Sequence, residues 1–217
     1  MEETPAEVNE VRDVGPDAIA LDIESPDDFD AAPGQFIKVT LTVDGDEESR
    51  FYTISSPSVE DTFEMTVGID SDGEVSPQLR ALSAGDELVL SGPYGNAYYE
   101  EEDQVCLIAG GPGIGPSVGI AERALTDGGE AAVVYRDDDP IHRERLETLT
   151  ADGGDVRVLD SESSLSTAVR ASLDTLSGDI ETTQVFVYGF AEFLDDAMDA
   201  IERAGGEPDG AKVENFG

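Results

Sequence analysis

The chain has 217 residues, with 12 Lys+Arg against 50 Asp+Glu and a formal net charge of −38. That length holds one large or two small domains, and that charge excludes a general nucleic-acid binder, which needs clustered Lys and Arg to meet phosphate. With a single cysteine (Cys106) and a single histidine (His142), a disulfide scaffold, a four-cysteine iron–sulfur cluster and Cys/His or two-histidine metal motifs are excluded within this chain, and no metal is expected.

The opening MEETPAEVNE is acidic and lacks a basic region and an apolar core, so no targeting segment is expected there. The runs AIALDIE, QFIKVTLTV, RFYTIS, FEMTVGI and DELVLSG follow, rich in β-branched and aromatic residues and separated by Gly, Pro and Asp clusters. Short strands at this spacing predict an antiparallel barrel or sandwich, with one short helix at Ser76–Leu82. The pattern then changes. QVCLIAGG, AAVVYR, DVRVLD, QVFVYG and AKVENFG are strand-like, and helical stretches of ten to fifteen residues separate the first four and lead to the last. That alternation predicts βαβ units and a parallel sheet. The boundary is placed in Gly95–Glu102, giving domains 1–98 and 99–217, with the acidic EEED run as a solvated linker or turn.

The acidity is spread along the chain and interleaved with apolar residues, and only Lys38 and Lys212 are lysines. At about 1 M salt the Debye length falls to roughly 3 Å and most self-repulsion is screened. A cytoplasmic protein of a salt-accumulating halophile is the expectation. The longest uncharged stretch, Val105 to Ala121, holds five Gly and two Pro and is no membrane span.

Two stretches carry chemistry. In AGGPGIGP, Gly110, Gly111, Gly113 and Gly115 lie between a strand and its helix, where amides can approach a pyrophosphate; the spacing is G-x-G-x-x-P, and a tight strand–helix turn is the plainer alternative. Gly115-Pro116-Ser117-Val118-Gly119 matches the nucleophile-elbow pattern, but the turn is already occupied by Gly110–Gly113. Ser117 is therefore expected inside the helix, as an N-terminal cap or a hydroxyl facing a nucleotide. In Arg50-Phe51-Tyr52-Thr53-Ile54-Ser55-Ser56-Pro57, Arg50 and Tyr52 share one strand face, a pair suited to grip a phosphate and stack on a flat ring, the plainer alternative being an ordinary strand with an exposed ion pair. Cys106 is expected to be a buried inert thiol, and His142, beside Arg143 and Arg145, a surface residue.

Arg50-x-Tyr52-Thr53-x-x-Ser56 resembles the flavin signature of the ferredoxin–NADP reductase family. Pro33-Gly34-Gln35-Phe36, Gly73 to Leu79, Ala84-Gly85-Asp86, Gly92-Pro93-Tyr94-Gly95 and the loop Gly110–Pro116 resemble that family's other motifs, in the same order. The resemblance implies an α+β two-domain fold: an N-terminal antiparallel Greek-key β-barrel for the flavin and a C-terminal Rossmann-like parallel α/β domain for the nicotinamide nucleotide. It implies FAD, with Arg50 on the pyrophosphate, Gly73 and the amides of Val75 and Ser76 completing that cradle, Tyr52 stacked on the isoalloxazine, Thr53 near N5 and Val67 meeting the flavin through its backbone. Tyr52 and Thr53 would sit at the reacting ring. Phe216 would cover the other flavin face, its alternative being a core residue of the last strand. Gly111, Gly113, Ile114 and Pro116 would hold the nicotinamide nucleotide.

Three departures from the pattern matter. Pro112 replaces a threonine and deletes an N–H. Val187-Tyr188-Gly189-Phe190 stands where the family has C-G-P, so Tyr188 is expected to fill the space of a thiol beside the nicotinamide. Leu159-Asp160-Ser161-Glu162 stands where NADP-type members hold a 2′-phosphate, and its carboxylates favour NADH over NADPH. Arg136 is expected either at an adenosine phosphate or in an ion pair. The expected function is a flavoprotein oxidoreductase passing hydride from NADH or NADPH to FAD and electrons to a separate acceptor, whether ferredoxin, another redox protein or a small molecule. Alternatives are a flavin-binding electron-transfer subunit or redox sensor without efficient NAD(P)H turnover, and an interaction module that kept only the fold.

Overall fold

The computed structural model describes residues 3–43, 45–178 and 180–217. The first half forms six antiparallel strands: β1 (Thr4–Gly15), β2 (Ala18–Glu24), β3 (Phe36–Val43), β4 (Asp46–Thr53), β5 (Thr62–Gly68) and β6 (Glu87–Tyr94). They lie in the order β4-β3-β6-β1-β2-β5. A bridge between Ile54 and Met65 joins the two outer strands and closes the sheet on itself, and the insertion of β6 between β3 and β1 gives the Greek-key connection. Ile19, Leu21, Ile37, Phe63 and Met65 point inward and fill the barrel.

β1 is the one strand absent from the sequence expectation. Only Ala6 and Val8 of its twelve residues are fully buried, so it lacks an apolar run. Its pairing with β2 and β6 supplies what its composition does not. The short helix α1 (Ser76–Ala81) falls where it was expected.

The second half is a parallel sheet of β7 (Gln104–Gly110), β8 (Glu130–Arg136), β9 (Asp155–Leu159), β10 (Gln184–Gly189) and β11 (Lys212–Asn215), in the order β11-β10-β7-β8-β9. Helices α2 (Ile114–Thr126) and α3 (Arg143–Ala151) cover one face, and α4 (Leu165–Leu173) and α5 (Ala191–Ala204) the other. The strands are buried on both faces, which is why they appear in the sequence as unbroken apolar runs. Cys106 is fully buried in the layer against α4 and α5, and burial pushes its thiol up to about 12. Every residue of α2 from Ile114 to Ala121 is buried, because the helix is covered by the sheet on one side and by the barrel on the other. This explains the uncharged stretch Val105–Ala121.

The connector between the two sheets is tied down. Tyr99 is buried and its amide donates to Pro33 O at 3.0 Å. Lys212 of β11 donates to Tyr98 O at 2.8 Å and pairs with Glu100 and Glu102 at 2.7 and 2.6 Å. The acidic run is thus a set of acceptors for one lysine rather than a free linker. Among the described residues no helix is long and apolar enough to cross a membrane.

Candidate functional site

The strand order of the parallel sheet reverses between β7 and β10, and ligands of such sheets bind beyond the strand ends at that point. Here the loop after β7 and the residue after β10 face the rim of the barrel. Two adjoining cavities lie there. The larger, about 720 Å³, runs between β4, the segment from Gly68 to Ser76, and β11 with Phe216. The smaller, about 150 Å³, lies between Thr53, Thr66 and Gly68 of the barrel half and Pro112, Pro116 and Phe190 of the α/β half.

Arg50, Tyr52 and Thr53 all line the larger cavity. Arg50 is about half exposed and, among the described residues, holds Glu48 at 3.2 Å and Ser49 O at 2.8 Å. An exposed ion pair of this kind contributes little, so the guanidinium can turn to a bound anion at small cost. Burial pushes the Tyr52 phenol up to about 12 despite the opposing charge of Arg50, so the ring is a neutral flat wall. Thr53 is buried, and its hydroxyl donates to Glu214 Oε1 at 2.6 Å. Burial pushes Glu214 up to about 7 against the lowering effect of that bond, so near neutrality the carboxyl is poised between its two forms.

Gly73 and Val75 also line this cavity, as does Ser76. Gly73 donates its amide to Asp70 O at 3.1 Å, and the Ser76 hydroxyl accepts from the Asp70 amide at 3.0 Å. These bonds fold the segment into a turn that leads into α1, whose start at Val75 has no side-chain cap. The Val67 side chain is in the barrel core, and alternation along β5 presents Thr66 and Gly68 to the cavities, so only its backbone is available to a ligand there. Phe216 lines both cavities and packs against Tyr188 and, edge-on, Phe190.

At the smaller cavity, Pro116 and Pro112 form the wall while Ile114 is buried in the core below. Gly111 has φ +55°, a conformation that favours glycine, with open space around it. Gly113 is glycine for a different reason: a Cβ there would lie 2.3 Å from the carbonyl oxygen of Tyr188. Backbone would meet Cβ with no flexible side chain to yield, so Gly113→Ala is expected to destabilise the chain by about 3 kcal/mol, the upper range for overpacking. Urea unfolding followed by circular dichroism checks this, with an unchanged midpoint counting against the contact. Tyr188 lines neither cavity. It is fully buried, stacked on Phe186 at 6.4 Å, and its hydroxyl donates to Ala97 O in the connector. Period two along β10 points it into the layer between the halves, away from the strand end.

Ser117 is inside α2, and its hydroxyl donates to Gly113 O at 2.9 Å, so it neither caps the helix nor faces a ligand. Arg136 pairs with Asp196 at 2.7 Å and lies over the Phe193 ring. His142 is not a surface residue. It sits at a left-handed corner before α3, is 4% exposed, and its Nε2 is 2.8 Å from Thr66 Oγ1. Burial and the neighbouring Arg145 push it down to about 4, so it is neutral. Its burial comes from the barrel, whose Thr66 is 76 residues away, and no local pattern around IHRER announces it. Sequence reasoning also assigned no role to Glu214, Thr66 or Phe190. The signal for Glu214 was present: on a strand, residues 214 and 216 share a face, so placing Phe216 at the cleft places Glu214 there too.

The geometry fits FAD. A cleft within the usual roughly 300–1,000 Å³ for ligands offers an aromatic wall, a guanidinium held only by an exposed ion pair and a local carbonyl, and an uncapped helix start. Residues 5–99 match the oxidoreductase FAD-binding domain family. Residues 5–99 thus carry an FAD-binding oxidoreductase domain. The chain is 44% identical over 88 residues to the glycine betaine monooxygenase reductase subunit of Chromohalobacter salexigens, covering 39% of this chain and 24% of that protein. A longer match, 31% over 199 residues, covers 85% of this chain and 55% of the ferredoxin reductase component of 3-ketosteroid-9-alpha-monooxygenase from Mycolicibacterium smegmatis. The chain thus spans about half, or less, of the curated relatives it matches. The fold around the FAD-binding domain is shared with two solved structures. The FAD/NAD-binding domain of nitric oxide dioxygenase from Vibrio cholerae has a TM-score of 0.83 at 22% identity, covering 98% of both chains. A ferredoxin NADP+ reductase from Neisseria gonorrhoeae has a TM-score of 0.79 at 18% identity, covering 100% of both.

Proposed function

We propose that the chain takes hydride from NADH onto FAD and passes electrons on to a separate acceptor, a redox protein or small molecule, as a reductase component. The observation that carries this is the shared wall: Tyr52, Thr53, Gly68 and Phe216 line both cavities. A ring held in the larger cavity is reachable from the smaller, which opens at the switch point of the α/β half. FAD, when bound, supplies two-electron acceptance and one-electron release. Arg50 and the start of α1 would hold its pyrophosphate, Tyr52 and Phe216 would enclose its ring, and the Thr53 hydroxyl, oriented by Glu214, would meet the ring's polar edge. Glu214 would hold or release a proton one hydrogen bond away. The smaller cavity falls below the usual ligand range, so a dinucleotide would enter it with its nicotinamide end only.

NADH is favoured over NADPH because the region beyond β8 and β9 repels a further phosphate. Asp160 and Glu162 are exposed there, Asp138 accepts from the Ser161 amide at 2.8 Å, and Arg136 is held by Asp196. We place the domain boundary between residues 98 and 99, and read the acidic surface as suited to a salt-rich cytoplasm. A single cysteine cannot hold a four-thiolate cluster within this chain, which is why the acceptor is placed outside it.

The test is anaerobic addition of NADH and of NADPH, separately, to the FAD-loaded chain purified in multimolar KCl, following the visible flavin bands. Rapid bleaching, faster with NADH, is expected. Bands that persist would favour a flavin-binding carrier without nicotinamide turnover, and a chain that takes up no FAD would overturn the reading. Unfolding on transfer to low salt is expected of a salt-adapted surface; an unchanged fold would count against that part.

A further inference from the structure

The pattern Gly115-x-x-x-Gly119 is left unexplained by the flavin and nicotinamide sites. The two glycines are one turn apart on the same face of α2, and that face presses on the barrel. A Cβ at Gly115 would lie 2.5 Å from Thr66 Oγ1, and one at Gly119 would lie 2.6 Å from Ser55 O. Any side chain would therefore push the helix off the strand. Across the same seam runs Arg145 of α3. It donates to Glu64 Oε1 of β5 at 2.8 Å, to Ser55 O at 2.8 Å, and through Nε and Nη2 to both oxygens of Glu122 of α2 at 2.8 and 2.6 Å. Four of the five guanidinium N–H groups are used. Glu64 takes a second cation, Arg12, and the Ser55 hydroxyl at 2.8 Å. The seam thus balances two carboxylates with two arginines, in a chain with 12 cations for 50 acids. The side chains of Glu64 and Arg145 are only 10% and 21% exposed.

This joint lies beside the chemistry. Thr66, which touches Gly115, is in the wall of the smaller cavity, and the next residue of α2, Pro116, is in the wall opposite. Domains of one chain move relative to each other by default unless their interface is large or specifically locked. We propose that Arg145 is a positioning residue which, with the glycine face of α2, fixes the width of the gap through which the nicotinamide reaches the flavin. The proposal rests on the reading given under Proposed function, and its test separates the two.

Gly119→Ala keeps a strong helix former in α2 but must move the seam by roughly 0.8 Å to reach ordinary contact at 3.4 Å. Arg145→Lys keeps the charge but cannot span Glu64, Ser55 and Glu122 at once. Both are measured as FAD-loaded protein, per bound flavin, alongside wild type. Stopped-flow reduction by saturating NADH is expected to slow 10- to 100-fold in the limiting rate, since a misplacement of about 1 Å costs up to about 10²-fold. The NADH concentration giving half that rate should change little, and reduction by dithionite, which needs no docking, should be unchanged. Amide hydrogen exchange of residues 55–66 should rise in the same variants. Faster exchange with an unchanged NADH rate would overturn the positioning role, and unchanged exchange would overturn the joint itself. If wild type is not reduced by NADH, the hydride-transfer reading and the positioning role fail together, while faster exchange in the variants would still establish the joint. If Arg145→Lys does not fold, Gly119→Ala alone decides.

Discussion

Arg50→Ala is expected to strip most of the FAD from the protein while the barrel stays folded. The two consequences separate because of where Arg50 sits. Its partner in the free protein, Glu48, is on the exposed side of β4 at 3.2 Å, and such a pair contributes between about 0 and 1 kcal/mol. Against a diphosphate the same guanidinium can donate two charge-assisted hydrogen bonds, each contributing about 1.5–3 kcal/mol. A loss of roughly 3 kcal/mol weakens FAD binding about 100-fold. Arg50→Lys, which keeps the charge and loses the fork, should fall between, at about tenfold. Titration of the apoprotein with FAD by fluorescence quenching, paired with circular dichroism of each variant, measures both quantities. Equal affinity in folded wild type and alanine variant would remove Arg50 from the cradle.

Glu214→Gln is expected to abolish an ionisation near neutrality and to make the apoprotein more stable in mild alkali. Burial holds the Glu214 carboxyl at about 7, against an ordinary 4.5. The fold therefore prefers the neutral form. Glu214 contributes its stability fully below about pH 4.5 and loses it as pH rises to about 7; above that, a charged carboxylate is confined beside Thr53. The span between those values corresponds to at most about 3 kcal/mol, and partial solvent contact reduces it to about 2 kcal/mol. Glutamine keeps the shape and an acceptor for Thr53 at every pH. At pH 8 the variant should exceed wild type by about 2 kcal/mol, and at pH 4.5 the two should converge. Urea midpoints across that range measure it, and a constant difference would show that Glu214 does not titrate there. In NADH-driven turnover, the wild-type profile should bend near pH 7 and the variant's should not.

The α/β half was legible in the sequence because its strands are buried on both faces. QVCLIAG and QVFVYG have no polar alternation to confuse with anything else, and the glycine turns bracket them. The barrel was legible except at β1, where acidic residues alternate with two small apolar ones and only the neighbouring strands make a strand of it. The flavin motif drew attention to Arg50, Tyr52 and Thr53, and all three line one cavity. What the sequence hid were burials imposed by the second half of the molecule. His142 and Arg145 sit in a polar helix start and look solvated until the barrel covers them. Tyr188 stands at the position expected beside the nicotinamide, yet its ring runs the other way, to the Ala97 carbonyl. Thr66 and Gly68 face the cleft while the Val67 side chain points into the core, because the phase of the pleat is fixed by pairing with β2, which composition does not encode.

β11 is a four-residue strand at the edge of its sheet, paired on one side only with β10, and it carries Glu214, with Phe216 just beyond. Short edge elements open at far lower free energy than a core strand, and Lys212 is the principal anchor holding this one to the connector. One wall of the larger cavity is thus built from a short edge strand of the α/β half. With flavin held there as proposed, its retention and the fraying of this edge would be one equilibrium: bound flavin would brace the strand, and each excursion of the strand would be a moment at which the flavin can leave.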